Sequence, residues 1–184
     1  MCGGRGTRLD RGEKPLVPVC GTPMVERVAD ACADSAGIET TYAAVSPHAP
    51  DTADHVRETL GLPAVETPGE GYVADLDRAL ADPRLSPPLL TVVADLPLLT
   101  GGVLDAVCTR ADGGSLAVCV PVSLKRDLGV SVDTRFDHGG RALAPTGCNV
   151  VSDDADSIMT SHDHRLAVNV NRPDDLAVAE ARCD

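Results

Sequence analysis

Apolar residues in this chain fall into short runs broken by glycine, proline and polar clusters, and the runs alternate between strand-like and helix-like spacing. Leu16 to Val19 is a short apolar stretch ending at Cys20-Gly21. Thr22 is placed to cap a helix whose first residue is Pro23, with Val25, Val28, Ala29 and Cys32 on one face and Gly37 past its end. Thr40 to Val45 reads as a buried strand closed by Ser46-Pro47-His48, and a helix predicted from Asp51 to Leu60 is stopped by Gly61. A weak strand follows around Ala64 and Val65, then the loop Gly69-Glu70-Gly71 and an amphipathic helix from Tyr72 to Ala81.

The clearest strand is Leu89 to Ala94, whose lack of alternation predicts a central strand covered on both faces. Asp95-Leu96-Pro97 ends it abruptly. Val103 to Ala111 is helical and Leu116 to Val122 is another buried strand, while residues 125 to 145 are less regular around a predicted hairpin. Gly147 to Val151 and Leu166 to Val170 read as strands. The last helix starts at Pro173, with Asp174 and Asp175 in its first turn, where carboxylates suit the helix dipole. With no repeat, low-complexity tract or linker, residues 1–184 read as one three-layer α/β domain.

Composition narrows the class. At 184 residues the chain can bury one full core, and 43% hydrophobic residues exclude disorder. The net charge is −12, with 21 Asp against 7 Glu and 14 Arg against 2 Lys. An acidic, lysine-poor surface resembles that of halophilic proteins, where salt screens self-repulsion. It argues against nucleic-acid partners, which need a basic face. No run approaches the roughly 20 apolar residues of a membrane span, and no signal segment opens the chain, so a cytoplasmic location without membrane insertion is expected. Seven cysteines, at positions 2, 20, 32, 108, 119, 148 and 183, are odd in number and irregular in spacing. A zinc site or disulfide framework is not expected, and most should be small buried residues.

The candidate chemistry starts in the first fifteen residues, where Gly3, Gly4, Gly6 and Gly12 are interleaved with Arg5, Arg8, Arg11 and Lys14. Backbone amides freed of side chains make a concave anion site, and the cations match a triphosphate. The stretch fits neither common nucleotide fingerprint: Leu9 stands where the dinucleotide loop needs glycine, and Lys14 follows Glu13 rather than glycine. Such a loop normally leaves the carboxyl end of a central strand, yet only Met1 and Cys2 precede it. We expect the true start to lie upstream, with Met1 an internal methionine.

Three further features converge. One of only two lysines, Lys14, stands in the loop, suited to neutralise a leaving pyrophosphate. Asp95 directly follows the apolar strand, where open α/β sheets place ligands, and offers a hard oxygen to Mg2+. Alternation puts Asn169 and Asn171 on one face of a strand end, so both amides could address one ligand. Ser46-Pro47-His48 ends a strand on the same edge and could line a base pocket. His162-Asp163-His164 reads as a surface loop rather than a metal pair.

The opening stretch, Gly-Gly-x-Gly-Thr-Arg-Leu followed by Glu-Lys-Pro, resembles the signature of the nucleotidyltransferase superfamily. Four segments together resemble the archaeal GTP:adenosylcobinamide-phosphate guanylyltransferases. They are residues 3–16, Gly71 to Leu76, Ala144 to Ser152, and Asn169-Val170-Asn171 with Asp174-Asp175-Leu176. The resemblance implies a three-layer Rossmann-like nucleotidyltransferase fold, with a mostly parallel mixed sheet truncated at its first strand. It implies transfer of GMP from GTP to a corrinoid phosphate, with Lys14, Arg8 and Asp95 as catalytic groups. Gly3, Gly4, Arg5, Gly6, Thr7, Lys14, Ser46, Asp75 and Asn169 would bind the nucleotide, Gly147 and Asn149 the acceptor, and Asp95 and Asn171 Mg2+. Glycine at 147 would leave room for a bulky acceptor tail. Other molybdopterin or sugar nucleotidyltransferases, and a GTP-binding regulator without turnover, are the alternative readings. A homodimer is the commonest assembly for such a chain.

Overall fold

The computed structural model describes residues 1–2, 9, 12–154 and 156–183. Beyond a 3-10 turn at Lys14–Leu16, β1 (Pro18–Val19) and β2 (Thr22–Pro23) form a small antiparallel hairpin. Its two turn residues, Cys20 and Gly21, have φ of +51° and +83°, as a two-residue turn of the twist-matched kind demands. Thr22 is therefore a strand residue and not the expected helix cap. The helix α1 (Met24–Ala33) begins one residue later than Pro23 and buries Met24, Val25, Val28, Ala31 and Cys32.

The next unit is β3 (Ala43–Val45), α2 (Pro50–Asp54) running into a π-helical turn at His55–Thr59, and β4 (Ala64–Glu66), with β3 and β4 parallel. Then come α3 (Tyr72–Leu80), β5 (Leu89–Val92), α4 (Gly101–Ala111) and β6 (Ser115–Pro121). A helix that the hydrophobic pattern did not announce, α5 (Val122–Leu128), starts directly at the end of β6 and stops at Gly129, whose φ is +77°. The predicted hairpin is β7 (Phe136–His138) with β8 (Arg141–Val151). The exposed strand β9 (Asp156–Thr160) and α6 (Pro173–Glu180) complete the order. Residues 166–170, expected as a strand, begin in a 3-10 turn at His164–Leu166 and form no ladder with the strands above.

In the main sheet β8 lies between β5 and β6 and runs against both, while β9 pairs parallel to β6. Strands β5, β6 and β9 thus point one way and β8 the other, giving the mixed sheet expected. Met1 and Cys2 connect the sheets. The Met1 amine donates to the Val92 carbonyl at 2.8 Å, the Ala94 amide donates to the Met1 carbonyl at 3.2 Å, and the Cys2 amide donates to Ala44 at 2.8 Å. Those two residues take the place of a strand between β3 and β5, immediately before the glycine-rich stretch.

The largest core cluster packs α1 and α4 on the sheet through Val28, Val103, Leu104, Val118 and Cys148. A second holds β1 against α6 through Val19, Leu176 and Ala179. This packing brings Cys20 to Cys183, and the two form a disulfide with Cα atoms 6.5 Å apart. Here the cysteine expectation is corrected: a separation of 163 residues hides the pair from any spacing argument. The other five cysteines are free; Cys108 is half-buried and the rest are buried. Among the described residues, no helix is long and apolar enough to cross a membrane.

Candidate active site

Three chain segments meet at the carboxyl end of β5. The 3-10 turn brings in Lys14, the strand is followed directly by Val93, Ala94 and Asp95, and the segment leading to α6 supplies Asn169 and Asn171. The Lys14 ammonium donates to the Asp95 carboxylate and, at 2.6 Å, to the Asn171 side-chain oxygen. Asn169 donates its amide to Asp95 Oδ1 at 3.0 Å and to the Thr146 carbonyl at 2.8 Å. Its oxygen accepts from Lys125 on α5 at 3.0 Å. Both asparagines reach the same carboxylate–ammonium pair, although residues 168–171 are not the strand end that the alternation argument assumed.

Each group is held from behind. The Glu13 carboxylate accepts from the amides of Asp51 and Thr52 at 3.0 and 2.6 Å, fastening the start of the 3-10 turn to the start of α2. Asp175, 1% exposed, accepts from the Asn171 and Arg172 amides, both at 2.9 Å, and from the amide and hydroxyl of Ser131 at 2.6 and 2.8 Å. Charge-assisted bonds of this kind are about twice as strong as neutral ones. Burial pushes the Lys125 ammonium below its usual pKa, opposed by the more distant Asp175, Asp95 and Asp133.

Asp95 lies in the wall between two cavities. One, of about 150 Å³, is lined by Lys14, His48, Gly69, Tyr72 and Asp75. The other, of about 350 Å³, is lined by Lys125, Asp133, Gly147, Asn149 and Asn171. Cationic donors and a carboxylate between two cavities suit the joining of two polar molecules.

The profile of the MobA-like NTP transferase domain matches residues 1–132. The chain belongs to the MobA-like NTP transferase family. The adenosylcobinamide-phosphate guanylyltransferase of Methanocaldococcus jannaschii is 30% identical over 196 residues, which is 98% of this chain and 93% of that protein. Among solved structures, CMP:2-keto-3-deoxy-manno-octonic acid synthetase complexed with CTP has a TM-score of 0.55 at 16% identity, covering 79% of this chain and 69% of that one. A hypothetical transferase from Thermus thermophilus has a TM-score of 0.58 at 21% identity, covering 83% and 63%. At these identities the two structures show the fold. The protein is thus a nucleotidyltransferase with a Rossmann-like nucleotidyltransferase fold.

In this MobA-like transferase the expected residues are distributed as follows. Lys14, Asp95, Asn169 and Asn171 are brought together. Asp75, 5% exposed, lines the smaller cavity and accepts from the Gly69 amide at 2.7 Å. Ser46 is buried, its hydroxyl accepting from the His48 amide at 3.2 Å, and it is the His48 ring that lines the cavity. Gly147 and Asn149 line the larger cavity, with the Asn149 amide donating to the Tyr72 hydroxyl at 3.1 Å. Gly3, Gly4, Arg5, Gly6, Thr7 and Arg8 lie outside the described residues.

Glycine at 147 has a backbone reason beyond room for an acceptor. Its φ is +83°, and a Cβ there would stand 2.5 Å from a Val93 methyl. Asp163 of the His-Asp-His segment caps the turn at 164–166 and pairs with Arg165. Among the described residues, no cluster of three or more His, Cys, Asp or Glu could hold a metal. Sequence reasoning missed Lys125, although it is the chain's only other lysine and its rarity was a usable signal.

Proposed function

We propose that the protein transfers GMP from GTP to adenosylcobinamide phosphate, releasing pyrophosphate and forming adenosylcobinamide-GDP in cobalamin biosynthesis. The observation that carries the proposal is the Lys14–Asp95–Asn171 cluster in the wall between two cavities, in a chain matching a named guanylyltransferase over almost its whole length. The smaller cavity takes the nucleotide against His48 and Asp75, with Ser46 behind them and Asn169 at the shared wall. The larger takes the corrinoid phosphate against Gly147 and Asn149.

In the reaction, an oxygen of the acceptor phosphate attacks the α-phosphorus of GTP and the bond to the bridging oxygen of the β-phosphate breaks. A phosphate nucleophile is already ionised, so positioning and charge neutralisation matter more than a base. Lys14 and Arg8 neutralise the leaving pyrophosphate, and the glycine-rich residues Gly3, Gly4, Arg5, Gly6 and Thr7 hold the β- and γ-phosphates. The fit to Mg2+ rests on the donor set. The oxygens of Asp95 and Asn171 converge on a cation, the Lys14 ammonium, and both are hard ligands, with substrate phosphates left to complete a shell. Asp95 and Asn171 would hold Mg2+, which would supply further charge neutralisation on the phosphates.

We take residues 1–184 as a single domain acting in the cytoplasm of a halophilic archaeon, with a homodimer as the expected assembly. Pyrophosphate release from GTP, ATP and CTP, each with adenosylcobinamide phosphate, molybdopterin or a sugar 1-phosphate, at molar and low salt, tests the proposal. The expected result is release with GTP and the corrinoid phosphate, greatest at molar salt. Release only with molybdopterin overturns the acceptor, and tight GTP binding without release overturns the enzyme.

A further inference from the structure

The chain has two lysines against fourteen arginines, and Lys14 lines the smaller cavity while Lys125 lines the larger. They are not equivalent. Lys14 has a carboxylate, Asp95, as its direct partner. Lys125 is only 4% exposed, and its two hydrogen-bond partners among the described residues are neutral: the Ala167 carbonyl at 2.7 Å and the Asn169 oxygen at 3.0 Å. An ammonium carries three donors, so one is left over. The nearby carboxylates are engaged elsewhere: Asp175 by four donors, Asp133 by Arg172, and Asp95 by Lys14 and Asn169.

A buried ammonium whose direct partners are all neutral, with Asp175, Asp95 and Asp133 acting on it only through space, has room for an anion at its remaining donor. Lys125 lines the larger cavity, beside Gly147 and Asn149, and Asn169 connects it to Asp95. We infer that Lys125 is the binding group for the acceptor's phosphomonoester, holding the nucleophile on one side of Asp95 while Lys14 faces the triphosphate on the other. A lysine suits this task because its point charge pairs with a phosphate oxygen without demanding the planar geometry of arginine. This inference rests on the acceptor being a phosphomonoester, as proposed above.

The test compares wild type with Lys125→Met and Lys125→Gln, each checked for thermal unfolding. Wild type should bind adenosylcobinamide phosphate at least about tenfold more tightly than adenosylcobinamide, the range of one hydrogen bond to a charged group. In both variants that preference should fall close to unity, while the KM for GTP stays within about twofold, because a uniform loss is expected only of a structural defect. A retained preference overturns the inference, as does an equal rise in both KM values with the preference unchanged. If neither variant folds, wild type labelled with 15N at its lysine side chains gives only two ammonium signals. The Lys125 signal should move with the phosphorylated acceptor and not with its unphosphorylated form; no difference overturns the inference. If wild type releases no pyrophosphate with the corrinoid phosphate, the proposed reaction fails instead, and the two failures are distinguishable.

Discussion

Glu13 and Thr52 are joined by a 2.6 Å hydrogen bond, the Thr52 amide donating to the Glu13 carboxylate whose second oxygen takes the Asp51 amide. The carboxylate thereby caps α2 from outside and fixes the residue before Lys14. Glu13→Ala removes the cap and frees the turn. We expect a loss of about 1 kcal/mol of stability, the usual worth of a helix cap. The KM for the nucleotide should rise, because the Lys14 ammonium is no longer held toward Asp95. Denaturant unfolding and pyrophosphate-release kinetics measure both. Unchanged stability and KM would show that the contact is idle.

Gly147 and Val93 form a second tight pair. A methyl added at 147 meets Val93 at 2.5 Å and also forces an L-residue into φ +83°. The conformational part costs about 1–2 kcal/mol, and overpacking adds about 1–3 kcal/mol. Gly147→Ala should therefore destabilise by several kcal/mol. Combining it with Val93→Ala should relieve the steric part and leave the conformational part, so the two substitutions are coupled rather than additive. Additive losses in urea unfolding would contradict the steric account.

How far the sequence reaches is clearest at single residues. Asp95 was legible because an apolar run with no alternation ends on it. Asn169 and Asn171 were picked out by a two-residue period, yet they meet at the Lys14–Asp95 pair without forming a strand. Lys125 was not, since it sits on a seven-residue helix that starts directly from a strand and shows too few positions for a helical period. The hairpin at Cys20-Gly21 was hidden because cysteine is an unusual residue at positive φ. Strand β9 was hidden by its polar, exposed positions, and the Cys20–Cys183 pair by its separation. Asp175 was read as a dipole partner and as part of the segment that carries the resemblance, because nothing local marks it as the residue to which Ser131 returns.

Acid stability should depend on two carboxylates far from the site. The Ser35 hydroxyl, then the Gly37 and Ala36 amides, hold the Asp105 carboxyl below its usual pKa. Hydrogen bonds from Arg165 do the same for Asp163. In the unfolded chain both return to about 3.9. The unfolded state then takes up protons that the folded state refuses, so their contribution is full above about pH 4 and is lost as pH falls through the depressed folded values. Asp105→Asn should lower stability at neutral pH and flatten the decline below pH 4. Urea unfolding at pH 7, 4 and 3, at fixed salt to hold screening constant, measures it. A variant whose decline is as steep as wild type would remove Asp105 from this account.

Asp175 should be the most sensitive polar position in the molecule. Its two oxygens receive four hydrogen bonds and tie the Asn171–Arg172 backbone to Ser131, just beyond the helix that carries Lys125. One side chain thus braces both halves of the inter-cavity wall. Asp175→Asn keeps the shape but turns an acceptor into a donor facing amides that also donate. Leaving buried donors unsatisfied costs about 1–3 kcal/mol, so the melting temperature should fall by about 2–4 °C for each kcal/mol in a chain of this size. Ser131→Ala removes the 2.8 Å hydroxyl bond and keeps the amide bond, and should cost less than Asp175→Asn. The double variant should lose less than the sum, because Asp175→Asn already weakens the contact that Ser131→Ala removes. Strictly additive losses, or a wild-type melting temperature for Asp175→Asn, would mean that the Ser131 and Asn171 segments are held independently of Asp175.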